Sequence, residues 1–253
     1  MIPLLRPDWP TPPQVGAAMS LRQGGCSVTP WQSLNLGVAV GDGSAHVARN
    51  RESFTQTLGA QPVWLRQVHG REVLRLRHDE LARATQGVDA AWTTEKGLAC
   101  TVLVADCLPV LFAARDGSAV AAAHAGWRGL AAGVLEVTLQ AMADGAAVAP
   151  ADIRVWMGPC IGPRQFEVGA DVVAAFGQSP QKLDPACFVP RLRADGSAAW
   201  LADLQHLARL RLQAAGVSEI SAARACTVED ESRFFSFRRD RVTGRMAAAI
   251  WLG

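Results

Sequence analysis

Apolar residues recur along this chain at two spacings, and the spacing switches several times. Over Ser44–Leu58 it is helical, with Val47, Phe54 and Leu58 on one side. Leu130–Met142 carries Leu130, Val134, Val137 and Ala141 in one stripe. Asp171–Phe176 and Leu201–Ala215 read as helices too, the latter with Leu201, Leu204, Leu207, Ala208 and Leu212 on one face. Short apolar or alternating runs predict strands at Val63–Val68, Glu72–Arg77, Leu98–Val104, Val110–Ala114, Ala119–Ala123, Ile153–Met157, Ile220–Ala223 and Met246–Leu252. Gln178–Ala199 is the loosest stretch and reads as a loop holding one short strand or hairpin. Strands alternate with helices, yet several strand pairs have hairpin-length links. That mixture predicts an α/β (α+β) fold of mixed sheets covered by helices. With no repeat or low-complexity linker, residues 1–253 read as a single catalytic domain.

One pair of strands places chemistry. Val110–Ala114 and Ala119–Ala123 flank Arg115-Asp116-Gly117-Ser118, a turn sequence. A hairpin centred between Asp116 and Gly117 sets Pro109 opposite His124, with Cys107 just beyond the same open end. Opposed residues in a hairpin lie roughly 4.5–5.5 Å apart and diagonal neighbours about 7–8 Å, so Cys107 and His124 are neighbours by local geometry. His69 likewise ends a predicted strand, beside Gly70. Two His and one Cys make a zinc set of the catalytic type, with three protein ligands and an open fourth position. The same residues also suit a cysteine nucleophile with a histidine base, and the residue pattern leaves both open. After His124, the Gly126-Trp127-Arg128-Gly129 turn opens a helix. Free N–H groups and the helix dipole favour an anion there, and the Arg128 fork suits phosphate.

Composition narrows the class without choosing a reaction. Hydrophobic residues make up 49% and charged residues 19%, which fits an ordinary globule and excludes a disordered chain. The net charge of +2 gives no reason to expect nucleic acid. The cluster Arg238-Arg239-Asp240-Arg241 has no aromatic platform beside it and reads as a solvated or phosphate-facing turn. MIPLLRPDWPTPP is broken by Arg6, Asp8, Pro3, Pro7 and Pro10 and does not read as a signal peptide. The most apolar run, Leu98–Ala114, holds Asp106 and Pro109 and falls short of a membrane span. A cytoplasmic monomer is expected, with no membrane partner. Apart from Cys107, the cysteines (Cys26, Cys100, Cys160, Cys187 and Cys226) form no CxxC pair and read as small buried hydrophobes.

The segments QVHG, ADCLPVLF, AAAHAGWRGL, GPCIGPRQFEVG and FFSFRRDRVTGRMAAAIWL, preceded by SLNLGVAVGD and ARNRESF, resemble the YfiH family. It is also called the laccase-like polyphenol oxidase or peptidoglycan editing factor family. The resemblance runs from about Ser33 to Leu252. It implies that His69, Cys107 and His124 are both the metal ligands and the catalytic trio. It implies phosphorolysis of adenosine, inosine and methylthioadenosine, with adenosine deamination as a second activity, so that purine nucleoside and phosphate are the partners. It implies a fold like that of a deamidating toxin's cysteine-hydrolase domain. Phe237 stands where the family often has Tyr, so no phenol can act as acid or base there.

An open zinc position brings the pKa of water to about 7, which suits attack on C6 of adenine. A carboxylate must then move protons. Asp106 is the candidate, with Asp89 and Glu167 behind it, and its alternative role is to orient a histidine. For phosphate, the Gly126–Gly129 turn is joined by Arg51 and Arg238 as candidates. A copper oxidase is the weaker expectation: the chain has five His, too few for a blue-copper centre plus a further His-rich cluster. A cysteine hydrolase or amidase acting on peptidoglycan precursors is the other alternative.

Overall fold

A computed structural model describes residues 2–253. Along the chain run β1 (Leu4–Leu5), β2 (Val15–Ser20), α1 (Ser44–Leu58), β3 (Gln61–Trp64), β4 (Val73–Arg75), β5 (Ala90–Thr93), β6 (Leu98–Val104), β7 (Leu108–Ala114) and β8 (Val120–Ala125). Then come α2 (Trp127–Ala132), α3 (Val134–Ala146), β9 (Ile153–Met157), β10 (Glu167–Val168), α4 (Ala170–Ala175), β11 (Phe188–Leu192) and β12 (Ala198–Ala202). The chain closes with α5 (Leu204–Ala214), β13 (Glu219–Ala222), α6 (Phe237–Asp240) and β14 (Met246–Leu252).

Two mixed sheets form the centre. One has five strands in the order β1-β2-β14-β6-β3, the other six in the order β13-β9-β7-β8-β5-β4. Strand alternation explains how they stack. On β7 and β8, Leu111, Ala113, Val120 and Ala122 face the first sheet, where they meet Cys100, Val102, Ala248 and Ile250. The intervening positions Val110, Phe112, Ala121 and Ala123 face the other way, onto Leu135, Leu139 and Met142 of α3 and Leu204, Leu207 and Leu212 of α5. The outer face of the five-stranded sheet packs Ala18, Ala99 and Ala249 under Phe54 and Leu58 of α1. The chain is therefore a stack of mixed sheets between helices, and a small three-stranded sheet, β10-β12-β11, flanks one side. Among the described residues no helix is long and apolar enough to cross a membrane.

Several elements depart from the hydrophobic pattern, each for a local reason. The helix expected at Leu130–Met142 is two helices, because Gly133 adopts φ 95°, a left-handed conformation that ends α2. The helix expected from Leu201 begins later. Leu201 belongs to β12, and Asp203 caps α5 by accepting a hydrogen bond from the backbone N–H of His206. The strand expected at Val63–Val68 stops at Trp64, and beyond it the Gln67 side chain continues the pairing by bonding the N–H and C=O of Leu103. The loose Gln178–Ala199 stretch contains β11 and the start of a hairpin with β12.

The alanines of β8 let the layers approach closely, and Ala122 is fully buried between Ala91 and Leu111 on the neighbouring strands. Ala122→Leu should overpack this seam and cost about 1–3 kcal/mol. The expected result is a lower urea midpoint with an unchanged slope; an unshifted midpoint would show that the seam has room.

Candidate active site

The hairpin register is the one its turn dictates: Pro109 pairs with His124 and Leu108 with Ala125. Period-two alternation then brings Cys107 and His124 out on the same face of the sheet, where the space between the two sheets opens. His69 arrives from the loop after β3, held at φ 61°. One ligand atom from each of His69, Cys107 and His124 lies within 4.8 Å of the others. Cys107 Sγ is 3.9 Å from His69 Nε2, and the two imidazoles meet edge to face at 4.8 Å between centroids. The trio runs from exposed (His69) through half-buried (Cys107) to buried (His124), as at the floor of an open cavity.

A fourth residue builds this arrangement. Asp89, fully buried at the head of β5, accepts hydrogen bonds from the backbone N–H groups of Val68 (3.1 Å), His69 (2.9 Å) and Gly70 (2.7 Å). It also accepts one from His124 Nδ1 at 2.8 Å. One carboxylate thereby fixes the strained His69 loop and the ring orientation of His124, leaving His124 Nε2 toward the thiol. Burial raises the carboxyl pKa of Asp89, but the bonds from His124, Gly70 and Val68 outweigh it and hold it below its ordinary value. Asp89 was a secondary candidate in the sequence. The signal that could have promoted it is an acidic residue heading the apolar run Ala90-Ala91-Trp92, where only a set of donors justifies it.

The electrostatics single out one cysteine. For Cys107, burial raises the thiol pKa, but the charge of His124 and hydrogen bonds with both histidines bring it down to about 6. For His124, burial works downward, yet the Cys107 thiolate and the Asp89 carboxylate lift it to about 9. Each group thus favours the charged form of the other, thiolate beside imidazolium. Burial pushes Cys100 and Cys160 upward, the behaviour of inert thiols.

A cavity of about 670 Å³ opens above the trio. Trp64, Leu65, Val38, Val40 and Phe237 make its apolar walls, and Arg51, Arg66 and Arg245 bring positive charge. Arg51 was foreseen. Its guanidinium stacks 4.0 Å over Trp64, its Nε donates to the Leu36 carbonyl, and burial lowers its pKa to about 10. Arg66 and Arg245 were not foreseen, since nothing in the local sequence distinguishes them from surface arginines.

The remaining candidates lie elsewhere. The Asp106 carboxylate accepts from Thr227 Oγ1 and from the backbone N–H of Arg238, each at 2.6 Å. It shapes the turn at φ 85° that delivers Cys107, so it is a turn residue and makes no contact with either histidine. Arg238 donates to the carbonyls of Gln165 and Glu167, away from the cavity. Glu167 pairs with Arg193 and Arg191. Arg128 is exposed and stacks 4.3 Å over its neighbour Trp127. Gly126 and Gly129 matter as spacing. A Cβ on Gly126 would lie 3.0 Å from both Cys107 Sγ and His69 Cδ2, and one on Gly129 would lie 2.7 Å from the Gly70 carbonyl. The turn after His124 packs directly against the trio, which leaves no room for a side chain at Gly126.

This geometry defines a cysteine–histidine site, capable of holding a metal, at the seam of a sheet stack. The chain belongs to the family described as "Multi-copper polyphenol oxidoreductase laccase", which it matches over residues 16–253. It is 46% identical over 254 residues, covering the whole of both chains, to the protein named purine nucleoside phosphorylase YfiH in Escherichia coli (strain K12). It is 46% identical to purine nucleoside phosphorylase PA4543 of Pseudomonas aeruginosa, over 98% of each chain. Among solved structures, NMB0706 of Neisseria meningitidis is similar with a TM-score of 0.87, 44% identity and 98% coverage of both chains. YlmD of Geobacillus stearothermophilus is similar with a TM-score of 0.87 and 34% identity, over 98% of this chain and 96% of that one.

Two experiments test the site. In metal-stripped protein, the alkylation rate of Cys107 should rise with pH through a midpoint near 6 and then level off, since the thiolate is the nucleophile. A midpoint near the ordinary thiol value of about 8.5 would refute the ion pair. Asp89→Asn should cost about 1–3 kcal/mol for each donor left unpaired, because an amide offers one acceptor oxygen to a set of four donors. Urea denaturation measures it, and a shift below 1 kcal/mol would mean the loop stands without the carboxylate.

Proposed function

We propose that the chain is a purine nucleoside phosphorylase acting on adenosine, inosine and methylthioadenosine, with adenosine deamination as a second activity at a zinc site. The observation that carries this reading is the trio His69, Cys107 and His124 at the floor of a cavity walled by Trp64, Phe237 and the guanidinium of Arg51. The names of the Escherichia coli and Pseudomonas relatives support it.

The donor set suits zinc. Thiolate sulfur and imidazole nitrogen are its preferred ligands, and the Sγ–Nε2 distance of 3.9 Å is close to the edge of about 3.5 Å in a tetrahedral site. His124 presents the correct nitrogen because Asp89 holds the other. A zinc ion, when bound, supplies Lewis acidity and lowers the pKa of water to about 7. Copper would need a further His-rich cluster for oxidase chemistry, and the three histidines outside the trio do not form one with it.

The chain's own residues account for the rest. Aromatic and aliphatic walls at Trp64, Leu65 and Phe237 offer a purine a flat apolar slot. Arg51, pre-stacked and desolvated, offers a phosphate dianion a fixed fork, and Arg66 and Arg245 add charge. In phosphorolysis a phosphate oxygen bonds to C1′ of the ribose, the C1′–N9 bond breaks, and its electron pair leaves on the purine, which takes up a proton. With a metal bound, His124 is a ligand whose Nδ1–H is held by Asp89, and the proton the purine takes up comes from solvent.

A second reading rests on the same ion pair: a Cys107 thiolate beside a histidine backed by a carboxylate is also a nucleophile arrangement, as in a cysteine hydrolase or amidase acting on peptidoglycan precursors. Metal content separates the two.

Protein of known metal content, incubated with adenosine, should give adenine and ribose 1-phosphate when phosphate is present, and inosine as well. Absence of all three products defeats the proposal. Cys107→Ser should abolish both activities and lose the zinc held by the trio, because an alcohol stays protonated and binds far more weakly. Activity that survives chelation in the wild type but is lost in Cys107→Ser would favour the nucleophile reading. Arg51→Met should raise the KM for phosphate about tenfold while leaving the trio's metal in place; an unchanged KM would remove Arg51 from the phosphate site.

A further inference from the structure

A second cluster of metal-ligating side chains lies apart from the cavity and on different elements. Asp184, Cys187 and His206 each offer one ligand atom within 4.8 Å of the others. The backbone brings them together. Asp184–Cys187 is a tight turn closed by the Cys187 N–H on the Asp184 carbonyl. Phe188 pairs with Ala202, so Cys187 lies opposite Asp203, and the Asp203 N–H donates to the Cys187 carbonyl at 2.9 Å. Asp203 caps α5, and this fixes His206 in the first turn of the helix, three residues on. None of the three depends on a long flexible reach.

Their chemistry is specific. Thiol, imidazole and carboxylate form a mixed donor set suited to a borderline-soft divalent cation. Cys187 Sγ lies 3.5 Å from Asp184 Oδ2. A tetrahedral zinc with bonds of roughly 2.3 Å to sulfur and 2.0 Å to oxygen requires an edge of about 3.5 Å. Cys187 is 1% exposed, which keeps the sulfur dry, while Asp184 and His206 are half-buried and leave an approach from solvent. No protein group hydrogen-bonds the His206 imidazole among the described residues, and the second oxygen of Asp184 is steadied by the Ala186 N–H at 2.9 Å.

We propose that Asp184, Cys187 and His206 form a second divalent-cation site, selective for zinc, that clips the segment between α4 and β11 onto α5. Its fourth position is left to water. Its role is structural: it ties the loosest stretch of the chain to the helix that covers the six-stranded sheet. It does not depend on what the first site catalyses.

Zinc titration of the full-length chain, followed by native mass spectrometry, tests this in wild type, Cys107→Ser, Cys187→Ser and the double variant. Expected are about two zinc ions per wild-type chain, about one in each single variant and none in the double. Cobalt(II) added to the Cys107→Ser chain should give a thiolate-to-metal charge-transfer band that Cys187→Ser removes. His206→Gln, at a half-exposed position, should lose the same zinc ion and keeps the test open if Cys187→Ser folds poorly. A wild type that binds one zinc, lost only with Cys107, overturns the proposal and shows that the Cys187 thiol simply donates to Asp184. A wild type whose one zinc is lost only with Cys187 supports this site and overturns the zinc reading of the first.

Discussion

The site depends on the buried carboxylate of Asp89. A charge with no access to water is tolerated only where donors surround it, and here three consecutive backbone N–H groups and one imidazole do so. That set of bonds joins the loop after β3 to the end of β8, two segments distant in sequence. Without it His69 would have no reason to hold a left-handed backbone, and His124 no reason to present Nε2 to the thiol. A similar device operates at the turn before β7. Asp106, bonded to Thr227 and to the Arg238 backbone, shapes the turn that presents Cys107. Two buried carboxylates thus position the trio, and neither faces the cavity.

The local half of the site was legible in the sequence because it is local. A four-residue turn fixes a hairpin register, the register fixes which residues oppose, and Pro109 lies opposite His124 as expected. The helix Ser44–Leu58 and the strands Leu98–Val104, Ile153–Met157 and Met246–Leu252 fall on their patterned segments for the same reason. What was hidden is what tertiary structure decides. Asp89 and Asp106 both head strands after a turn, and only the packing of β5 against β8 tells which one meets a histidine. Arg128 follows a glycine at a helix start and looks like an anion ligand, but its guanidinium stacks on Trp127, and the glycine before it makes room for the Cys107 sulfur. The apolar walls of the cavity come from separated segments, around Val38, Trp64, Leu103 and Phe237, and no spacing rule joins them.

The absence of tyrosine sharpens the chemistry. Phe237 lines the cavity with a bare ring, so no phenol stands near the floor to move a proton. Metal ligation and thiolate chemistry would draw on the same three side chains, which is why metal content and activity must be measured together.

The hairpin, the loop after β3 and the head of β5 each carry one piece of the floor, and the pieces meet only when the strands are paired and the sheets docked. An ion held there therefore binds the native state and has little to hold in the unfolded chain. By mass action, free metal at a hundred times its dissociation constant would add about 2.7 kcal/mol to the folding equilibrium. That is a sizeable share of the roughly 5–15 kcal/mol that separates a typical folded domain from its unfolded ensemble. For such a chain, the metal supply of its surroundings would regulate how much folded protein exists as well as how fast that protein turns over.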